Sequence, residues 1–206
     1  MKQRTIAQLL AAVGGLSEPS KMPCYGWSIP AARCKVGSLL RQKQGTVCSK
    51  CYAMKGRYVM PIIEQALKRR YQILMADMET WAHNMAELIQ RKRLPYFRWH
   101  DSGDLQSKKH LNWIMWIAEQ CPDTKFWLPT REYGILKQVH GKIPRNLCIR
   151  VAAPMVGGMP ATKGFPTCTV GAGEGFACPA RKQGNQCKKC RACWNAAVEN
   201  VNYELH

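Results

Sequence analysis

The chain has 206 residues, 46% of them hydrophobic, with 31 Lys+Arg against 13 Asp+Glu, a formal net charge of +18 and 11 cysteines. That length and apolar content predict one folded domain with its own core. The longest apolar stretch, around Leu111–Ala118, is too short to cross a bilayer, which excludes a membrane protein. Gln3, Arg4, Thr5 and Gln8 interrupt the apolar part of the N-terminus, so it reads as a short amphipathic helix rather than a signal peptide, and the expected location is the cytoplasm. In a reducing compartment, eleven cysteines point to metal ligation rather than disulfides. The basic excess favours a polyanionic partner, nucleic acid first and a host protein second.

Residues 1–13 read as a helix stopped by Gly14-Gly15. Residues 16–60 form an irregular, cysteine-bearing segment. Pro61 suits the first turn of a helix that runs to about Met75. A second helix spans about Asp77 to Lys92, and Leu94-Pro95 ends it. Tyr96–His100 is a strand, followed by a helix over Lys108–Gln120 with Ser107 as its N-cap. Lys125–Pro129 is a second strand, Glu132–His140 a helix closed by Gly141, and Leu147–Ala152 a third strand. Residues 153–177 read as an extended Gly/Pro-rich loop, and a last helix is expected from Ala192 to Asn202. Strand and helix alternate at intervals of about 25 residues, which argues for β/α units on a parallel sheet. The expected fold class is α/β: a partial (β/α) barrel-like parallel sheet with cysteine-rich metal-binding N- and C-terminal segments. Residues 1–206 form a single domain, divided into a cysteine-rich segment (16–60), a β/α core (61–152), and a loop plus C-terminal cysteine cluster (153–206).

The strongest chemical signal is Cys187-x-x-Cys190-x-x-Cys193, with Cys178-Pro179 upstream. Two-residue gaps let successive thiolates converge, and a remote fourth cysteine followed by proline suits a 4Fe–4S ligand run better than zinc. A second set comprises Cys24, Cys34, Cys48 and Cys51, in which Cys48-x-x-Cys51 is the hook. It reads equally as a second cluster or as a zinc knuckle. Cys121 and Cys148 read as core residues, and Cys168 as a non-ligand.

His100, Asp101, Ser102, Gly103 and Asp104 fall where the first strand ends, the place where parallel α/β folds hold ligands. A histidine and two carboxylates there suit acid–base work, and Ser102 and Gly103 suit hydrogen bonding to a small ligand. Thr130-Arg131 occupies the equivalent place after the second strand, and Arg150 lies within the third. Each arginine suits a carboxylate or phosphate. Basic residues gather at Lys68–Arg70, at Arg91–Arg93 and at Arg181, Lys182, Lys188, Lys189 and Arg191. The last group, with Trp194 beside it, reads as a nucleic-acid contact. Lys68–Arg70 reads as a solvated helix face.

Cys48-Ser-Lys-Cys51-Tyr52 is similar to the last two cysteines of the radical S-adenosylmethionine cluster motif, with its adjoining aromatic. Gln44 stands where that family has another cysteine, and Cys34 would substitute across a longer loop. The layout as a whole resembles a cysteine-rich family of phage proteins named after a mycobacteriophage gene product. Matching pieces are Cys51–Ala53, His100–Asp104, Thr130-Arg131 and Cys187–Trp194. That resemblance implies an iron–sulfur, radical-SAM-like half barrel, hence one or two 4Fe–4S clusters, S-adenosylmethionine as a cofactor and Tyr52 near it. Asp101–Gln106 and Leu128–Arg131 are also similar to two segments of tRNA-guanine transglycosylases.

Three functional expectations follow. The first is an iron–sulfur enzyme acting on nucleic acid or a nucleotide-derived substrate. In it Cys178, Cys187, Cys190 and Cys193 hold one centre, Cys24, Cys34, Cys48 and Cys51 another, and His100, Asp101, Asp104 and Arg131 line the pocket. The second is a non-catalytic, metal-stapled binder of nucleic acid or a host factor. The third is base exchange through Asp101.

Overall fold

The computed structural model describes residues 4–139, 141–161 and 164–205. The first helix, α1, spans Ile6–Ala12; Thr5 and Gln8 form a reciprocal capping box, each side chain accepting from the other's backbone N–H. Two further helices, α3 (Pro61–Ala76) and α4 (Met78–Arg91), meet at Asp77, whose carboxylate accepts from the Glu79 and Thr80 amides and so starts α4. Between α1 and α3 lies α2 (Lys35–Arg41), and after α4 come α5 (Lys108–Gln120) and α6 (Tyr133–Leu136). Ser107 caps α5, as its sequence predicts.

Seven strands follow the chain as β1 (Tyr25–Trp27), β2 (Tyr96–Trp99), β3 (Lys125–Thr130), β4 (Leu147–Ala152), β5 (Thr167–Val170), β6 (Phe176–Ala177) and β7 (Asn200–Tyr203). They form one sheet in the order β1-β2-β3-β4-β5-β7-β6, and every pairing is parallel. The α/β class with a parallel sheet is therefore as expected. The sheet is larger than the three strands legible in the sequence. The expected helix over 192–202 is instead a single 3-10 turn, Ala192–Trp194, followed by β7. The expected loop over 153–177 carries β5 and β6. The helix expected over 132–140 is one turn, Tyr133–Leu136, and His140 lies outside the described residues.

Strand alternation sorts side chains onto two faces. Phe97, Trp99, Phe126, Leu128, Ile149 and Val151 join the larger core with α1, α4 and α5 residues such as Leu9, Met85, Leu88 and Ile114. Each of these fully buried side chains contributes roughly 1.5–3 kcal/mol through burial. Trp127, Ala152, Cys168 and Val201 face the other way, onto the turn that carries Cys193 and Trp194. Trp194 is buried; its indole donates to the Phe97 carbonyl at 2.9 Å and packs edge-on to Trp127 and Tyr96. It anchors the C-terminal segment and does not offer an exposed aromatic to nucleic acid, contrary to the sequence reading. Arg70 also departs from expectation: it is buried and ties Gly14, Gly15 and Ser17, while Lys68 and Arg69 stay exposed.

A flat sheet would place the two edge strands, six spacings apart, at roughly 29 Å. Lys21, just ahead of β1, and Cys178, just after β6, nonetheless line one shallow pocket. The sheet is curled, and its flanking segments close the remaining gap. Among the described residues no helix is long and apolar enough to cross a membrane.

His110 and His100 are buried against the aromatic core, with ring centroids 5.4 Å apart. Burial lowers the His110 pKa from 6.5 to about 3. In the unfolded chain its ordinary value returns, so the unfolded state takes up the proton first as pH falls. Stability is unaffected above pH 6.5 and falls between 6.5 and 3. Urea unfolding at pH 7 and pH 5 is expected to differ by about 2 kcal/mol on this account. His110→Asn, which keeps an acceptor for the Gln106 amide bound at Nδ1, is expected to remove about 2 kcal/mol of the pH dependence and to leave the share of buried, neutral His100.

Candidate functional site

All eleven cysteines are free thiols, and the fold sorts eight of them into two groups that differ from the sequence spacing. Cys34 is the N-cap residue of α2, and Cys48–Lys50 is a 3-10 turn that Cys51 ends. A Cβ added at Gly37 would lie 2.9 Å from Cys34 Cβ, 3.5 Å from Cys34 Sγ and 3.7 Å from Cys48 Sγ. Gly37 thus leaves room for two sulfurs to approach one another across α2. Burial is the main cause that raises the Cys34 thiol, with Asp104, Cys51 and Cys48 nearby adding to the push. Cys48 is raised by burial too, offset by the Arg131 guanidinium.

Cys24 is not part of that group. It packs with Cys178, Cys190 and Cys193 on the smaller apolar cluster. Its thiol is pushed up to about 12 by burial; Arg98 counters this and Cys187 adds to it. Cys24, expected with Cys34, Cys48 and Cys51, thus lies among the C-terminal cysteines instead. Among the described residues no three His, Cys, Asp or Glu side chains are gathered as a single-ion site.

The loops after β2 and β3 brace the remaining trio of Cys34, Cys48 and Cys51. Asp104 Oδ1 accepts from Thr130 Oγ1 at 2.6 Å and from the Leu105 amide at 2.8 Å, and Oδ2 accepts from the Arg131 amide at 2.9 Å. Burial nonetheless raises its pKa to about 6, with those bonds opposing. Glu132, which the sequence reading passed over, places Oε1 on the Lys35 and Val36 amides at 2.9 and 3.0 Å. It caps α2 from across the fold, because Cys34 at the N-cap makes no side-chain cap. That mismatch was the available signal: a helix opened by Cys needs its donors satisfied by another residue.

Asp101 acts as a clamp. Its Oδ2 accepts from Tyr58 Oη at 2.7 Å, Ser28 donates to Oδ1, and Tyr52 donates to the Asp101 carbonyl. The segment after Cys51 is thereby pinned to the ends of β1 and β2. The Arg131 Nε donates to the Ala153 carbonyl at 3.0 Å, and the side chain remains part-exposed beside Cys48.

Other expected site residues sit in structural surroundings. His100 has φ of 55° and is 4% exposed, with neither ring nitrogen bonded. It packs edge-on to Trp27 and His110, and burial lowers its pKa well below 6.5, so it is a neutral ring in the aromatic core. Ser102 is 2% exposed and its Oγ has no partner. Gly103 has φ of 79°, and a Cβ there would meet Ile29 Cγ1 at 2.3 Å and Ile29 O at 2.7 Å. It allows the chain after β2 to touch the chain after β1. Gly103→Ala is expected to cost about 3 kcal/mol in urea unfolding, from left-handed strain plus displacement of backbone. Arg150 is fully buried and donates to five carbonyls, those of Thr167, Ala192, Cys193, Asn195 and Val198. Its five N–H donors are thereby spent, which leaves none for the ligand its sequence position suggested. Arg98, missed in the sequence because it alternates with core aromatics, stacks 4.5 Å from the Trp127 ring, on the sheet face that carries Cys193 and Trp194. Cys121, Cys148 and Cys168 are buried.

A parallel α/β fold with two groups of free cysteines at its edges and loop ends defines the class of protein. The family model described as Gene product 88 matches residues 2–154. The chain belongs to this phage gene-product family. The match includes the trio and the loops that brace it, and it stops before Cys178–Cys193. No curated protein and no solved structure matches the chain.

Proposed function

We propose that this protein is an iron–sulfur enzyme of the radical S-adenosylmethionine kind, built on a partial β/α barrel and acting on nucleic acid or a nucleotide-derived substrate. The observation that carries the reading is the trio of Cys34, Cys48 and Cys51, separated from Cys24 and set beside the loops that end β2 and β3. Three thiolates supply three corners of a four-iron cluster, and the fourth corner is then free for a small ligand. Thiolate donors fit such a group, and Gly37 lets the Cys34 and Cys48 sulfurs lie on one side of α2. When bound, it would supply one-electron chemistry at that place.

The chain's own residues position the site. Glu132 holds the first turn of α2 and so the Cys34 backbone. Asp104 fixes the chain at Thr130-Arg131. The part-exposed Arg131 guanidinium beside Cys48 suits a carboxylate-bearing ligand. Asp101, Tyr52 and Tyr58 hold the turn that follows Cys51.

The surface around the trio supports a nucleic-acid partner. Between Glu18 and Glu64 the sequence has no acidic residue. Arg33, Lys35, Lys43, Lys50, Lys55 and Arg57 are exposed there, beside exposed Leu39, Tyr52 and Met54. Cationic side chains interleaved with an aromatic suit the phosphates and bases of a single strand.

The test is iron, zinc and acid-labile sulfide analysis of protein purified without oxygen, followed by titration with S-adenosylmethionine under electron paramagnetic resonance. The reading expects iron and sulfide in equal amounts and a ligand-induced change in the spectrum that Cys48→Ala abolishes. Zinc without sulfide would instead leave a metal-stapled binder of nucleic acid or a host factor. Guanine exchange that needs Asp101 and no iron would point to base exchange.

A further inference from the structure

Cys24 immediately precedes β1 and Cys178 immediately follows β6, and these are the opposite edge strands of the sheet. In sequence Cys24 sits ten residues from Cys34, and spacing alone assigns it to the N-terminal set. The fold carries it the other way. Cys24 rests on the same apolar cluster as Cys178 and Cys190. The Cys187 amide donates to the Lys21 carbonyl at 2.9 Å, and the Cys187 sulfur lies 3.7 Å from Met22 Sδ. Lys21 and Cys178 share the pocket that joins the two edges. The strand that separates Cys24 from Cys34 is only three residues long, yet it sends the two cysteines to different neighbours.

Six cysteines on this side, counting the buried Cys168 of β5, exceed the four corners of one cluster. Of the other five, Cys193 is the one set apart. Its sulfur lies 3.1 Å from Tyr203 Oη, and the Arg150 guanidinium grips its carbonyl. Cys24, Cys178, Cys187 and Cys190 are all partly exposed and line the side where the two edges approach. Cations stand close by: Arg98 and Arg191 counter the burial of Cys24, and Lys21 counters that of Cys187. Positive charge there offsets the negative charge of four thiolates.

We infer that Cys24, Cys178, Cys187 and Cys190 form a second, fully cysteine-ligated iron–sulfur centre that fastens the two edges of the curled sheet, while Cys193 is a hydrogen-bonded thiol outside the ligand set. The inference rests on the iron–sulfur reading above and assigns its ligands. A centre closed by four cysteines has no corner for a small ligand, so S-adenosylmethionine binding belongs to the trio alone. Its place is a fastening between chain segments far apart in sequence.

The experiment counts iron and sulfide in full-length protein reconstituted without oxygen, with circular dichroism on each variant to follow folding. Cys24→Ala is expected to lose about half of the iron found in the unaltered protein, one of two equal clusters. Adding Cys178→Ala or Cys190→Ala to Cys24→Ala is expected to remove no more. Adding Cys48→Ala is expected to remove the rest. Cys193→Ala is expected to keep the full count. If Cys24→Ala fails to fold, Cys24→Ser and Cys190→Ala on its own carry the same comparison. The inference is overturned if Cys24→Ala and Cys48→Ala together lose no more than either alone, or if Cys193→Ala loses half while Cys24→Ala loses none. Iron that partitions as expected with no response to S-adenosylmethionine would sink the proposed enzyme class and leave the second centre standing. Unaltered protein that takes up no iron would sink both.

Discussion

Arg150→Met is expected to lower stability by about 4–6 kcal/mol and to release the C-terminal segment from the sheet. Burying a guanidinium is costly, and here five carbonyl bonds offset that cost. Methionine fills much of the volume but leaves those carbonyls without donors, at roughly 1–3 kcal/mol for each that water cannot reach. The acceptors lie in β5 and in the stretch from Ala192 to Val198, so the loss concentrates where Trp194 docks. Urea unfolding followed by near-ultraviolet circular dichroism of the Trp127–Trp194 pair, whose ring centroids lie 5.2 Å apart, reads both effects. Arg150→Lys is expected to rescue only part of the loss, since an ammonium has three donors and no planar fork. An Arg150→Met protein as stable as the parent would show that those bonds contribute nothing net.

Glu132→Ala is expected to disable the trio while sparing the other cysteine group. The Lys35 and Val36 amides would lose their acceptor in a part-buried place, costing about 2 kcal/mol in the first turn of α2. That turn begins at Cys34, so a frayed α2 moves one of three sulfurs out of register. The measurement is iron retained after gel filtration, with the S-adenosylmethionine response as second readout. A loss of about half the iron, with the spectroscopic response abolished, is the expected outcome for one of two clusters. Glu132→Gln keeps an oxygen for the amides and is expected to retain most of the iron. Equal retention by Glu132→Ala and the parent would remove Glu132 from the positioning of Cys34.

The helices and the central strands were legible because their signals are local. Ser107 caps where a cap is expected, α4 starts where its pattern begins at Asp77, and β4 is bounded as its apolar run predicts. The outer strands were not. Tyr25-Gly26-Trp27 is too short to show alternation, and Phe176-Ala177 is shorter still. The stretch Ala192–Asn202 has the composition of a helix, yet Arg150 claims the carbonyls of Ala192, Cys193, Asn195 and Val198 that a helix would need for itself. Tertiary contact overrides propensity there. The candidate site divided in the same way. Cys34, Cys48 and Cys51 are near in sequence and meet in space. Cys24 was misplaced because sheet curvature leaves no mark on a spacing rule. Asp101 and Asp104 sit at strand ends as expected, but their hydrogen bonds make them braces. His100 lies at the expected corner and turns its ring into the aromatic core.

The curled sheet also sets an order of assembly. The trio closes a loop of fewer than twenty residues, so its parts meet soon after they leave the ribosome. Joining Cys24 to Cys178 closes roughly 150 residues of chain, and that search carries about 4–5 kcal/mol of loop entropy. Nothing on that side is complete until Cys178, Cys187 and Cys190 have been translated. A nascent or truncated chain can therefore hold a finished first site and an open edge at β1, which makes the C-terminal segment a checkpoint on maturation as much as a part of the fold.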